Sequence, residues 1–548
     1  MYLRNHYVRA CINTIRFYIM FNVNKFLVII VFGLLVFSSC DKDKVEEEPG
    51  FIARQKDSKV IKDIIKITYD FGSLYFSINK NADHEVGITM PLGEPYKDNI
   101  NIPDFILCEK GTFKVTSIES GAFLGAPFLK SVSIPNTITH IGKKEFADCK
   151  SLEALSVHDG LKYIGDSAFY NCLKLEKLDI PSGTKTIGDG AFCNAASLKS
   201  LLLPENITHV GKYLCNGCSS LESVEIKSQL TAIPDSSFNL CIKLKQLILP
   251  NTLKSIGDCA FSSCQSLESV DLPEGIESLG YGAFYECLKL NKITLPSSIT
   301  TIGPKAFNSC IMLKSLVLPV GLKEIQCGMF SGCESLTEIV IPKTVTKIGH
   351  SAFSSCRKLK KIDLPPEITE INANAFQRCE SLLSIKIPDK ITVIEKNMFY
   401  GCISLTTVDI HDNVEFIKYA AFYNCTALKA VNLPAKLRVV EEYVFEMCSL
   451  LKDIYIPEGV EIIERYAFSS CSTLETIVFP STIKEIDANC LSSSNLESVK
   501  ILAKEPPVLN NNFGYGDCLP AKCVYVPKES LSLYQQSKSW RRHSLYGF

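Results

Sequence analysis

Residues 339–359 read IVIPKTVTKIGHSAFSSCRKL, and variants of this stretch recur through most of the 548-residue chain. Counting in steps of 23 residues from Phe353 reaches a phenylalanine at fifteen of the seventeen positions between 123 and 491. The two exceptions are Cys215 and Leu491. A period held this constant predicts a repeat protein, in which each unit packs against its neighbours and the array forms one body.

Positions within a unit are counted from this marker phenylalanine. Alternating apolar residues at +9 and +11 predict a short strand with one face inward, and a proline at +12 ends it because proline has no N–H to donate. Further apolar residues follow at +15 and +18, often before a glycine, which predicts a tight return. In the unit after Phe330 the patterned residues are Leu336, Ile339, Ile341, Pro342, Val345, Ile348 and Gly349. The A-F-x-x-C segment then predicts a helical turn that points phenylalanine and cysteine inward.

Cysteine occupies position +3 in fourteen of the seventeen units, for example Cys310 and Cys356. Zinc sites need ligands that converge on one point, whereas these cysteines lie 23 residues apart along a line. Disulfides between neighbouring units are disfavoured because equivalent side chains point the same way. We therefore predict buried, unpaired cysteines that bond weakly to the turn backbone. Cys518 and Cys523 lie outside the pattern and are the better candidates for a disulfide.

An apolar run from Phe26 to Phe37 precedes two serines and Cys40. Its twelve residues are too few to span a bilayer and suit the core of a signal peptide. The small residues before the cysteine resemble a bacterial lipobox, so Cys40 is the expected site of lipid attachment, with an uncleaved short anchor as the alternative. Such a signal would begin at Met20, which makes residues 1–19 either a long n-region or an overextended start. The acidic stretch after Cys40 resembles an export signal for surface lipoproteins, with an ordinary charged linker as the alternative.

The unrepeated flanks set the predicted domain boundaries. Each open end of a solenoid exposes apolar surface and needs a capping unit. We predict a lipoprotein signal peptide at 1–40, a charged tether at 41–58, an N-terminal cap at 59–117, a repeat solenoid at 118–500 and a C-terminal cap at 501–548.

Composition and motifs argue against catalysis and against nucleic acid as a partner. The chain has 58 basic and 59 acidic residues spread evenly, so no basic footprint for nucleic acid is present. Its eight histidines are scattered without a recognised ligand or catalytic arrangement, and we expect them to be solvated. We predict a protein that is not an enzyme, with no catalytic residues, no metal and no cofactor.

Outward positions of the predicted strands are where a partner would bind, because a stacked sheet displays them as a flat array. At position +10 the adjoining pairs Val317 with Val340 and Tyr455 with Val478 predict two apolar spots among carboxylates. Leu202 and Ile248 occupy the same column. The alternative is that these residues reflect ordinary strand propensity.

The unit LxxIxIPxxVxxIGxxAFxxC closely resembles the BspA-like class of leucine-rich repeats. One copy matches it at Ile341, Pro342, Ile348, Gly349, Ala352, Phe353 and Cys356. The resemblance implies a repeat solenoid of 23-residue units, with short parallel β-strands joined by turns and short helical turns and capped at both ends. It also implies a Bacteroidetes outer-membrane lipoprotein, exposed on the cell surface, that adheres to proteins or glycans of the host or of neighbouring cells. Glycan capture or a periplasmic scaffold is the alternative, and contact with the membrane is expected through the lipid anchor only.

Overall fold

The computed structural model describes residues 55–61, 63–69, 72–510, 519 and 521–548. These residues belong to one compact unit, Phe51–Phe548. The predicted signal peptide, its lipid-attachment residue Cys40 and the predicted disulfide partner Cys518 lie outside the described residues. None of the helices within these ranges is long and apolar enough to cross a membrane.

A mixed β-sheet precedes the first complete repeat. Its strands are Gln55–Ile61, Ile64–Tyr69, Gly72–Ile78, Glu85–Ile88, Phe105–Cys108 and Gly111–Ile118. Alternating residues such as Ile65 and Ile67 are fully buried, as expected for strands with one inward face. A further strand, Lys97–Asn101, instead pairs in parallel with the first repeat strand, Phe128–Ser133. Because Tyr96 also packs 5.0 Å from the ring of Phe123, the sheet and the repeats share one core.

The repeats form a β-solenoid with two rows of parallel strands, which confirms the predicted fold class. We name the first row, near positions +8 to +10, face A. Its strands in the repeats are Phe128–Ser133, Ala154–Ser156, Ser200–Leu203, Ser223–Ile226, Gln246–Ile248, Ser269–Asp271, Lys292–Thr294, Ser315–Val317, Glu338–Val340, Ser384–Lys386, Thr407–Asp409, Ala430–Asn432, Asp453–Tyr455, Thr476–Phe479 and Ser498–Ile501. The units between 157 and 199 and between 341 and 383 contribute isolated bridges through Lys177 and Lys361.

The second row, near positions +17 and +18, is named face B. Its strands are His140–Ile141, Tyr163–Ile164, Thr186–Ile187, His209–Val210, Ala232–Ile233, Ser255–Ile256, Ser278–Leu279, Thr301–Ile302, Glu324–Ile325, Lys347–Ile348, Glu370–Ile371, Val393–Ile394, Phe416–Ile417, Val439–Val440, Ile462–Ile463, Glu485–Asp487 and Val508–Asn510. Paired residues on both faces are offset by 23 positions, for example Val317 with Val340 and Ile325 with Ile348. At the end of the array Thr476 pairs with Ser498, an offset of 22, so the last unit is one residue shorter on face A.

The A-F-x-x-C segment makes hydrogen-bonded turns rather than the predicted helical turn. Two residues in every unit but the last adopt left-handed backbone conformations, as at Ser351 with φ 54° and Ser355 with φ 60°. In the same segment, the Cys356 N–H donates to the Phe353 carbonyl at 3.1 Å. The Phe353 N–H donates to Ala375 of the following unit at 2.8 Å, so this third side also carries a backbone ladder between units. Left-handed residues end a helix after one turn, which is why no helix propagates here.

The marker phenylalanines form two stacks through the core. Neighbouring rings lie between 4.9 Å (Phe123 to Phe146) and 5.9 Å (Phe284 to Phe307) apart, and their planes differ by 14° at most. Cys215 interrupts the stack, leaving rings 123–192 on one side and 238–468 on the other. Both parts are fully buried, so the stack supplies a large apolar area in every unit.

The cysteine column bonds each unit to the one before it. The Cys310 thiol donates to the Phe284 carbonyl at 3.2 Å, and this bond recurs along the column. Where Ser494 replaces cysteine, its hydroxyl donates to the Phe468 carbonyl at 3.0 Å, the same contact with a stronger donor. The column cysteines of the described residues are buried and free. Burial raises the pKa of the Cys287 thiol to about 12, which keeps it protonated and unreactive.

The C-terminal segment extends face A and closes the core. Strands Cys523–Val526 and Leu545–Gly547 continue the parallel row beyond Ser498–Ile501. Between them lie a 3-10 turn at Lys528–Ser530 and the helix Leu531–Gln536. Buried Trp540 donates its indole N–H to Pro507 at 2.7 Å, and the Tyr534 hydroxyl donates to Ala503 at 2.8 Å. These two bonds fasten the segment to the last unit.

Candidate binding surface

Face A presents its +10 residues outward while the residues on either side of them point into the core. Val317 is 80% exposed and Val340 is 74% exposed, whereas Leu316 and Ile339 are buried. The two valines are register partners on adjacent strands, which lie about 4.8 Å apart. They therefore form one apolar patch, as the sequence predicts. Val320, at the following turn, is also strongly exposed. It was not predicted from the sequence, although an apolar residue at a usually polar position could have indicated an exposed apolar group.

A second apolar row lies at the C-terminal end of face A. Tyr455 is paired with Val478, as predicted, and the row continues through residues that the repeat period did not reveal. In register order these are Lys500, Tyr525 and Tyr546. The rings of Tyr525 and Tyr546 are 5.7 Å apart, and the Lys500 ammonium lies 3.8 Å above the ring of Phe548. We name Tyr455, Val478, Lys500, Tyr525, Tyr546 and Phe548 the aromatic row.

The structure does not bring Leu202 and Ile248 together. Glu225 lies between them as the register partner of both. Its carboxylate also pairs with Lys227 at 3.6 Å. Each of these two exposed apolar residues is therefore isolated from the other, unlike Val317 and Val340.

A shallow polar groove separates the valine patch from the aromatic row. It is lined on face A by small side chains, with Ser384, Thr407 and Ala430 at equivalent positions. Beside them the Lys386 ammonium lies 3.8 Å from the Asp409 carboxylate. Both charged side chains are largely exposed, so this pair adds little stability and leaves the groove open to solvent.

Chemistry-bearing residues do not converge in the part of the chain that the structure describes. No group of three histidine, cysteine or acidic side chains there could hold a metal ion. Among the histidines that differ from the expected solvated state, His158 bonds to the Ile138 carbonyl at 3.0 Å and His411 to the Pro388 carbonyl at 2.9 Å. Both occupy the +12 position normally held by proline. They tie adjacent units together and have a structural role.

Comparison with known families identifies this repeat. A family model described as "BspA type Leucine rich repeat region (6 copies)" matches residues 116–245, 231–357, 301–428 and 392–517. The chain belongs to the BspA-type leucine-rich repeat family. Such proteins are typically involved in protein–protein interaction or surface binding, and their repeat fold is typically non-catalytic. No curated protein sequence matches the chain.

One solved structure agrees with the leucine-rich repeat fold. A leucine-rich repeat protein from Bacteroides ovatus is 26% identical, with a TM-score of 0.50, over 75% of this chain and 94% of that one. A leucine rich cell surface protein from Faecalibacterium prausnitzii is 22% identical, with a TM-score of 0.38, over 76% of this chain and 98% of that one. The Bacteroides ovatus protein is the one of these two that supports the shared fold.

Proposed function

We propose that this BspA-type protein is a non-catalytic, lipid-anchored binding protein of the outer membrane surface, which adheres to a protein of the host or of a neighbouring cell through face A. The valine patch carries the proposal. Val317 and Val340 are adjacent, largely exposed and flanked by charged residues, and stability does not require two valines in water. Covering an exposed valine contributes about 1.5 kcal/mol or more, so a partner would gain affinity here.

Lipid anchoring at Cys40 is the part of the proposal that rests on the sequence alone. A Cys40→Ala variant should leave the membrane fraction, because the thiol that receives the lipid is gone. Protease added to intact cells should degrade the repeats. Protection of the repeats from protease would contradict surface exposure and favour the periplasmic scaffold instead.

The partner is tested by charging the valine patch. In a binding screen against matrix proteins, plasma proteins and glycans, Val317→Asp with Val340→Asp should weaken binding of the captured protein at least about tenfold, because burying two carboxylates is unfavourable. The matched control is Leu202→Asp with Ile248→Asp, which changes the same chemistry at separated sites on the same face. Equal loss in both variants, or none in either, would contradict the valine patch as the binding site.

Glycan capture is the second candidate function, and the aromatic row is the observation that favours it. Tyrosine rings in a line offer flat apolar faces with polar edges. Tyr455 is 69% exposed, and Tyr525 and Tyr546 are also accessible. If the screen returns a glycan, Tyr525→Ala with Tyr546→Ala should abolish its binding, while the charged valine variant should bind it normally.

A further inference from the structure

A cluster of tyrosines lies where face B meets the turn side, away from the residues of face A. We name it the tyrosine corner; its members are Tyr400, Tyr419, Tyr423, Tyr443 and Tyr466. The rings of Tyr400 and Tyr423 stack at 4.7 Å, and Tyr443 lies 5.4 Å from Tyr419 and 5.3 Å from Tyr466. All five rings are partly or largely exposed. They make two groups of ring contacts, Tyr400 with Tyr423 and Tyr443 with Tyr419 and Tyr466, across four successive units.

The repeat itself does not require aromatic residues at these positions. In the unit of Phe353 the equivalent residues are His350, Ser351 and Ser354. That unit stacks its phenylalanine and pairs its face B strand in the same way as the later units. The tyrosines therefore add nothing that the fold needs, and their clustering calls for another explanation.

The tyrosine corner carries excess negative charge. Glu441 pairs with Lys418 at 3.3 Å and Glu442 pairs with Arg465 at 3.5 Å. Two further carboxylates, Glu446 and Glu464, have no lysine or arginine partner within 4 Å in the described part of the chain. Two glutamates of this corner are therefore left without a compensating cation.

Each of these two glutamates accepts one hydrogen bond, Glu464 from the Glu442 N–H at 2.9 Å and Glu446 from Ser469, but burial still disfavours the charge of both. Burial raises the pKa of the Glu446 carboxyl. Burial also raises the pKa of Glu464, with further contributions from the neighbouring carboxylates Glu441, Glu442 and Glu485. A bound cation would relieve this repulsion in a partly desolvated site, where electrostatic attraction is stronger than in water.

The corner already holds cations against its rings. The Arg465 guanidinium lies 5.3 Å from the ring centre of Tyr466 and 5.7 Å from that of Tyr443. The Lys418 ammonium lies 4.6 Å from the ring centre of Phe416. Aromatic faces attract cations in this geometry, and the planar guanidinium also stacks on them. The chain thus contains its own example of the contact that a partner would make.

An apolar row on face B borders the tyrosine corner. Val393 is the register partner of Phe416, and Val439 is the register partner of Ile462. All four side chains are at least partly exposed. This row gives the aliphatic stems and apolar neighbours of a bound segment a surface to pack on.

We propose that the tyrosine corner binds a cationic, arginine-bearing segment of a partner protein. Charge complementarity with the unpaired glutamates selects the positive charge, and the ring faces select guanidinium over ammonium. This site is separate from the face A surface proposed above, so each can fail without the other.

The proposal is tested with the full chain and a short synthetic peptide whose arginines are spaced by glycine and serine. Its control peptide carries glutamine in place of every arginine. Isothermal titration should detect binding of the arginine peptide only. Glu446→Gln with Glu464→Gln should lower the affinity about tenfold, a loss typical of removing charge partners at a binding site. The matched control, Glu205→Gln with Glu274→Gln, removes the same charge from exposed positions in earlier units and should bind normally.

Two further measurements separate charge from ring contact. Tyr443→Leu with Tyr466→Leu should weaken binding of the arginine peptide, whereas Tyr443→Phe with Tyr466→Phe should retain most of it, because the ring faces remain. Affinity should fall as the pH is lowered and the two glutamates become protonated. Circular dichroism melts confirm that each variant is folded.

Several outcomes would overturn the proposal. They are equal affinity of the arginine and glutamine peptides, unchanged affinity in the glutamate variant, or equal loss in both glutamate variants. Capture of a glycan at this corner without binding of the arginine peptide would assign it to another class of ligand. Self-association that the glutamate variant abolishes, again without peptide binding, would assign it to a second copy of this chain.

Discussion

The same corner of the solenoid, at positions +19 and +20, is built in two ways along the chain. In the early units position +19 is glycine apart from Pro234, as at Gly165 and Gly280. The neighbouring backbone is so close that a Cβ at Gly280 would lie 2.6 Å from the carbonyl carbon of Gly257. In later units the same position holds Lys418, Glu441 and Glu464. Glycine is thus needed in the early units for close approach of successive backbones, and not for the tight return expected from the sequence.

In both versions of the corner the backbone N–H at position +20 donates to a carboxylate, but the carboxylate belongs to the preceding unit in one version and to the following unit in the other. In the early units an aspartate of the preceding unit accepts it, as when the Tyr281 N–H donates to Asp258 at 2.7 Å. In the later units a glutamate of the following unit accepts it, as when the Tyr419 N–H donates to Glu441 at 2.7 Å. The early corner is closed by backbone packing. The later corner carries long side chains on its outside, and these lie beside the tyrosine corner.

Removing a ring from the phenylalanine stack should destabilise the early and the later units equally. Phe169→Ala in the early units and Phe422→Ala in the later units each remove a fully buried ring that stacks on both sides. Each should lower the free energy of unfolding by about 3–5 kcal/mol through lost burial and a cavity. Chemical denaturation measures both. A much smaller loss at Phe422 would mean that the later units are loosely packed throughout and not only at the corner.

The pH dependence of stability should differ between the two regions, because the early corner contains the buried carboxyl of Glu145. It occupies a column that is mostly alanine, is 4% exposed, and burial raises its pKa to about 8. Because the folded state binds this proton more tightly than the unfolded state, stability should fall as the pH rises from about 4.5 to about 8. The full loss should be on the order of 5 kcal/mol.

Glu145→Gln should remove most of this pH dependence and raise the melting temperature at pH 8. Glu464→Gln in the later corner is the control, since Glu464 is only partly buried and its variant should change the pH profile little. Identical profiles for the unmodified chain and the Glu145 variant would show that Glu145 is ionised without penalty.

The smallest expected difference is in stability, between an alanine placed at +19 in an early unit and an alanine placed at +19 in a later unit. Gly280→Ala should destabilise the chain by about 1–3 kcal/mol, because its Cβ would meet backbone and not a movable side chain. Glu441→Ala, at the same position of a later unit, should cost about 1 kcal/mol through the lost hydrogen bond to Tyr419. Thermal melts compare the two. Equal tolerance of both changes would show that the early corner is not closed by backbone contact.

Much of the fold follows from the period, because residues 23 apart occupy equivalent environments. The inward phenylalanines, the buried free cysteines and the adjacency of Val317 and Val340 all follow from that count. The hydrogen-bonded turns that replace the predicted helical turn could not be predicted from the sequence. They need left-handed backbone at residues such as Arg378 and Met447, in which that conformation is uncommon.

The apolar residues of the candidate surface on face A were predicted in part. Tyr525 and Tyr546 belong to the aromatic row but lie in the C-terminal segment, where the 23-residue count no longer applies. The tyrosine corner was missed because its residues occupy different positions within their units, so no single column of the repeat contains them.

The sequence by itself determined the repeat, the inward or outward direction of each column and the family, because a strict period places every unit in the same surroundings. Only the tertiary structure decided how closely successive units approach at each corner and where the unrepeated C-terminal strands dock. Both depend on contacts between side chains at different positions of different units, and a period specifies register without specifying those distances. The same kind of contact places Tyr419, Tyr443 and Tyr466 side by side.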